Sequence, residues 1–251
     1  MKTALAVFAV FAASASLAQT PDSTLDKWRY EGCVNAIPAD AAKAEQFAVQ
    51  WRAEGGGLPA RHCQALAQLH QERFSEAAAT LVQAATAAEA ARSPFAADFW
   101  GQAGNAAFLA GDSKAAKTHF TTAIVQAGAY SPMRTAALHV DRARASTELG
   151  DMAGARTDLD KALALTPDDP LALALSAALA RREGNKARAA ADIARASALA
   201  PADPDVMLEQ ANVAAAAGDL ATARQVWAMV VRAAPQTAAA QIAERALAAA
   251  N

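Results

Sequence analysis

Gly150, Gly184 and Gly218 stand 34 residues apart, and the residues that follow them are Asp151, Asn185 and Asp219. Pro167, Pro201 and Pro235 keep the same interval. Landmarks of three kinds locked to one period mark a tandem array. A period of this length holds two short antiparallel helices, which cannot bury their apolar faces alone and must stack on further copies.

The unit at 170–203 shows the local grammar. Asp169 is placed to cap a first helix, and Pro170 to occupy its first position, where a missing N–H costs nothing. Gly184, without a Cβ, enters the left-handed conformation that ends this helix. Asn185 caps the second helix, and Pro201 follows its end. The same order recurs as Asp203-Pro204, Gly218-Asp219 and Pro235, and as Gly150-Asp151 and Pro167. Helices packed this closely need small side chains at their crossings and large ones between them. In units starting at 136, 170 and 204, the eighth position reads Ala143, Ala177 and Ala211, and the twentieth Ala155, Ala189 and Ala223. The twenty-fourth is large: Leu159, Ile193 and Trp227.

Gly111-Asp112 anchors a further unit at 97–130, with Trp100, Gly104, Ala116 and Phe120 in the corresponding columns. Extra residues around 127–131 lengthen its link to the next unit, and Ser93-Pro94 and Ser131-Pro132 predict helix starts. The pair 59–72 and 75–92 forms a degenerate unit at 58–91, where Phe74, Ala77 and Leu81 keep the columns and Glu72 replaces the turn glycine. Residues 19–57 read as an N-terminal helical cap, with one helix over 25–35 bearing Trp28, Tyr30 and Cys33. A second over 38–54 bears Phe47 and Trp51 one turn apart and stops at Gly55-Gly56-Gly57. Residues 238–251 read as a C-terminal capping helix. Strand alternation of useful length is absent, so the class is all-α.

Met1-Lys2, the apolar run 4–13 and Ser16-Leu17-Ala18 form a secretory leader pattern, with cleavage expected after Ala18. The run falls short of the roughly 20 residues a bilayer needs, and no Cys near the cleavage point offers a lipid attachment site. A soluble periplasmic protein is expected. The sequence has 23 basic and 25 acidic residues, and Lys2 leaves with the leader. A slightly acidic chain argues against nucleic acid or an anionic membrane as partner.

The cysteines number two, Cys33 and Cys63. In an exported chain an even pair reads as a disulfide, and one here would staple the end of the solenoid. A metal site with His62 and His70, or a pair of reactive thiols, are the competing readings. His62 and Cys63 are adjacent and point to different faces of one helix, which disfavours the metal.

No G-x-S-x-G elbow, Walker loop, H-E-x-x-H pair or dinucleotide fingerprint occurs. His62, His70, His119 and His139 are scattered. No catalytic residues, cofactor or metal are expected, and the chain does not read as an enzyme.

The region 97–237 resembles the tetratricopeptide-repeat (TPR) family as four tandem units, at 97–130, 136–169, 170–203 and 204–237, and 58–91 is similar to a fifth. The whole chain resembles the exported alanine-rich members of Gram-negative bacteria. The resemblance implies a right-handed α-solenoid whose first helices line a concave groove for a protein or peptide segment. By position, the groove candidates are Gln102, Asn105, Asp141, Arg144, Glu209 and Asn212. His139 and Arg142 depart from the pattern, since an aromatic and an aliphatic are usual there, and inter-repeat packing is expected to be thin and filled by alanine methyls. Of the residues with which some relatives clamp a terminal carboxylate, only Asn105 matches, so that mode is not expected. The leading function is a periplasmic binding scaffold; the alternative is a structural module that self-associates into homo-oligomers. A ligand-binding enzyme would need a deep pocket between cap and solenoid, which no sequence feature locates.

Overall fold

The computed structural model describes residues 23–128 and 131–250. The expected signal peptide and its cleavage point lie outside the described residues, as do two residues of the link at 127–131. Thirteen α-helices and no strand occur among the described residues. They are α1 (Ser23–Ala36), α2 (Ala41–Ala53), α3 (Gly57–His70), α4 (Phe74–Ala90), α5 (Ala96–Leu109), α6 (Ser113–Ala127) and α7 (Pro132–Glu148). Then come α8 (Met152–Leu165), α9 (Pro170–Arg182), α10 (Lys186–Leu199), α11 (Pro204–Ala217), α12 (Leu220–Ala233) and α13 (Ala238–Ala249). Each helix packs on its neighbours in the chain, and α9 packs also on α11, as stacking of helical pairs requires. The architecture is an all-α TPR solenoid.

The turns between paired helices follow one hydrogen-bond pattern. Gly111, Gly150, Gly184 and Gly218 all have positive φ, between 75° and 97°. Each donates to the carbonyl three residues back, and the next residue donates five back, as Asp112 does to Ala107 and Asn185 to Ala180. This is a Schellman closure. That next residue also opens the following helix: the side chains of Asp112, Asp151, Asn185 and Asp219 accept from the N–H three residues on. First helices start on Ser131, Asp169 and Asp203 in the same way, each followed by proline.

Two differences from the sequence reading have local causes. The helix expected from Ser93-Pro94 starts at Ala96, because Ser93 still closes α4 by donating to the Ala88 carbonyl. Its hydroxyl then accepts the Phe95 N–H. In the degenerate unit, Glu72 takes the glycine's conformation outright, with φ of 57°, and Arg73 completes the Schellman closure onto Gln68. A side chain in the left-handed region costs about 1 kcal/mol or more. Glu72→Gly is therefore expected to stabilise the fold by roughly 1 kcal/mol, read as a rise in urea midpoint at unchanged slope. An unchanged or lower midpoint would show that the Glu72 side chain offsets its own backbone strain.

Small and large columns meet as the repeats demand. Phe120 is buried directly on Gly104, where a Cβ would sit 2.5 Å from the ring. Leu159 packs with Ala143 and Ala155, Ile193 with Ala177, and Trp227 with Ala211 and Ala223. Gly56 has the same purpose in the cap, because a Cβ there would strike the buried Trp51 indole.

His139 and Arg142, which break the apolar columns, converge on one buried carboxylate. Asp158 on α8 is 3% exposed. His139 Nδ1 lies 2.8 Å from its Oδ1, and Arg142 donates from Nε and Nη2 at 2.8 and 2.6 Å. Burial alone pushes the Asp158 carboxyl up, but these bonds outweigh it and hold it below the usual carboxylate range. In the next unit Ser176 and Asp192 occupy the columns of Arg142 and Asp158 and bond at 2.6 Å. Between units, Lys117–Asp151, Arg156–Glu183 and Arg181–Glu209 pairs supplement a core made largely of alanine methyls.

Candidate functional site

A cavity of about 980 Å³ opens where the cap meets the first complete helical pair. It occupies the place that the sequence left blank, and α1, α3, α5 and α7 each supply a wall. The floor is apolar, with Leu58, Ala97, Phe99 and Leu138, and Phe95 stands at the cavity 58% exposed.

The α1 wall is held by covalent chemistry more than by packing. Cys33 and Cys63 form a disulfide between α1 and α3. Cys33 is the one buried side chain among the described residues of α1, whose outer face exposes Leu25 and Trp28. Three residues before Cys33, Tyr30 turns its hydroxyl to His62 Nδ1 at 2.8 Å. His62 Nε2 then meets Gln102 Oε1 at 2.8 Å. With the imidazole neutral and its proton on Nε2, each contact pairs a donor with an acceptor. Burial lowers the His62 pKa, offset in part by the Gln102 bond and the Asp98 charge. A neutral relay of three side chains thus crosses from cap to solenoid. The Tyr30 and His62 rings stack at 5.8 Å, and Phe99 meets His62 edge-on at 5.3 Å.

Charge at the cavity is balanced. Arg134 pairs with Asp98 at 3.0 Å, and Asp26 and Lys27 adjoin each other on α1. Beyond Asn105 the polar groups continue on α7, as Asp141 and Arg144. Across from Asn105 stands Asp141, whose carboxyl burial pushes up, with neighbouring Arg144 and Asn105 pulling it back in part. Arg144 reaches Asp141 at 3.5 Å and lies 5.0 Å over the Phe108 ring.

Of the six groove candidates, Gln102 and Asn105 line the cavity, and Asp141 and Arg144 continue from it. Glu209 and Asn212 lie on α11, outside it. Glu209 is buried under a bidentate Arg181, and Asn212 links Glu209 to the Trp227 indole N–H. Tyr30, His62 and Phe99 were not among the groove candidates, and His62 was weighed only as a metal ligand. Their one advance signal was proximity in sequence to the two cysteines or to Trp100. Among the described residues no three His, Cys, Asp or Glu side chains converge as metal ligands, and no helix is long and apolar enough to cross a membrane.

No protein-family model and no curated protein matches the sequence. Solved structures do match the fold. PilF of Pseudomonas aeruginosa is similar with a TM-score of 0.68 at 13% identity, over 89% of this chain and 98% of that one. PilW, a type IV pilus biogenesis factor, gives 0.68 at 15% identity, over 87% and 97%. A tetratricopeptide repeat protein from Parabacteroides merdae gives 0.69 at 16%, over 89% and 87%. At these identities the likeness carries the fold alone.

Proposed function

We propose that this chain, which has the tetratricopeptide-repeat fold, is an exported periplasmic scaffold that holds a segment of another protein against its first helices. The observation that carries this is the continuity of the cavity with the polar strip of α5 and α7. An apolar floor and a line of amide and charged groups lie side by side, as an extended segment with apolar and polar side chains requires. Asp141 supports the reading, since burial works against its charge. Groups kept where they cost stability cluster at functional surfaces.

Export is supported by the leader pattern at 1–18 and by the disulfide, because such bonds persist in oxidising compartments. PilW's description as a pilus biogenesis factor makes an envelope-assembly role the first to examine.

The test is capture of partners from an envelope extract by the mature chain, followed by affinity measurement. Asn105→Ala with Arg144→Ala is expected to weaken the captured partner about tenfold or more, each tenfold being about 1.4 kcal/mol. Circular dichroism checks the fold. Lys114→Ala with Lys186→Ala, exposed on second helices, is the control. An equal loss in the control, or none in the first pair, would place the interface elsewhere. Capture of nothing, with light scattering showing oligomers, would favour self-association.

A further inference from the structure

Resting on that reading, we infer that the cavity between α1, α3 and α5 is an anchor pocket for one aromatic side chain of the bound segment, with the neighbouring peptide groups against Gln102 and Asn105. The lining argues for a ring. Tyr30, His62 and Phe99, one each from α1, α3 and α5, already form a stacked and edge-on series at the cavity, where Phe95 is 58% exposed. Aromatic groups extend such a series with favourable offset or edge contacts.

Charge argues for a neutral occupant. The inner wall is Tyr30, His62 and Gln102, bonded to one another; of the two carboxylates that line the cavity, Asp98 is paired with Arg134 and Asp26 stands beside Lys27 on α1. A cation or anion driven inward would lose water without gaining a counter-ion. The same balance disfavours an acidic tail.

Size and direction argue for a segment rather than an isolated small molecule. The cavity volume of about 980 Å³ is several times that of any single side chain, and its Asn105 end runs on to Asp141 and Arg144. A ring in the floor would leave the flanking backbone beside two amide side chains, which pair well with peptide N–H and C=O groups. The pocket also depends on α1, whose position rests on the disulfide.

The test is selection from a random peptide library on the immobilised, oxidised protein. Enriched peptides are expected to share Phe, Tyr or Trp at one position, and alanine there should weaken binding about tenfold. Phe95→Ala should weaken the same peptides severalfold and add little to the loss already caused by removing the peptide's ring, the mark of a direct pair. Pro59→Ala, an exposed residue of the cavity's α3 wall, is the second variant and should also weaken them. Trp28→Ala, on the exposed face of α1, is the control and should change nothing. Opening the disulfide with a dithiol reductant should weaken the parent peptides and spare their alanine versions.

Enriched peptides that lack a shared aromatic, or that ignore Phe95 and Pro59 while responding to Asn105 and Arg144, would overturn the anchor and leave the groove standing. Equal losses for Trp28→Ala and Phe95→Ala would also overturn it. Enrichment of no peptide would overturn the anchor and the groove together.

Discussion

Replacing Cys33 and Cys63 together by serine should lower the free energy of unfolding by about 3–4 kcal/mol, the chain-entropy value for a closed loop of this size. The bond spans 30 residues of sequence and ties α1 to α3. Without it α1 keeps Tyr30 and a 3.6 Å contact between Arg29 and Glu54, but loses its buried attachment. Urea denaturation of oxidised, reduced and double-serine protein measures the effect, and hydrogen exchange locates it. Amides of α1 should lose protection first, with those of α9 to α12 unchanged. Equal midpoints for oxidised and reduced protein would show that packing alone fixes the cap.

Asp158→Ala should be at least as damaging, at about 3–5 kcal/mol, because it leaves the Arg142 guanidinium half-buried without its carboxylate. Replacing the group as a unit, with His139→Phe, Arg142→Leu and Asp158→Leu, should restore most of that loss. Of these changes, His139→Phe returns its column to the apolar residues the other repeats hold there, Trp100, Leu173 and Met207. If the triple variant is no more stable than the single one, the cluster does more than fill space. The cluster also makes the fold acid-sensitive. The folded-state pKa of Asp158 is depressed, so its stabilising contribution is complete above the ordinary carboxylate value, near 4, and is lost as pH falls through the folded value. Wild-type stability should drop over that acid range, and the triple variant should lack this part of the drop.

The repeat grammar was legible because it is local. A glycine needing positive φ, a capping side chain next to it and alanine opposite a large residue all declare themselves within a few positions. The same locality explains Glu72, whose place in the turn was visible while its left-handed backbone was not. What the sequence withheld depends on contacts between helices. His139 and Arg142 stood out as departures, yet nothing marked Asp158, 19 and 16 residues on, as the partner they share. The cavity was hidden for a similar reason. It exists because Tyr30, His62 and Gln102, 32 and 40 residues apart, meet across three helices. The groove candidates on α5 and α7 followed from position in the repeat. Position alone said nothing of the salt bridge that occupies Glu209.

Each shared turn residue closes one helix and opens the next, so a helical pair is a single cooperative block coupled to its neighbours. The blocks are not equally secured. A covalent bond pins the first end, while α13 at the other rests on its Thr237 cap, an Arg224 bond to the Ala250 carbonyl and alanine-rich contacts with α11 and α12. Fluctuations large enough to expose backbone should therefore start at α13 and travel toward the cap, block by block. The molecule behaves as a filament clamped at one end. Proteolytic trimming and mechanical unravelling both acquire a direction, and the cavity sits at the end that opens last.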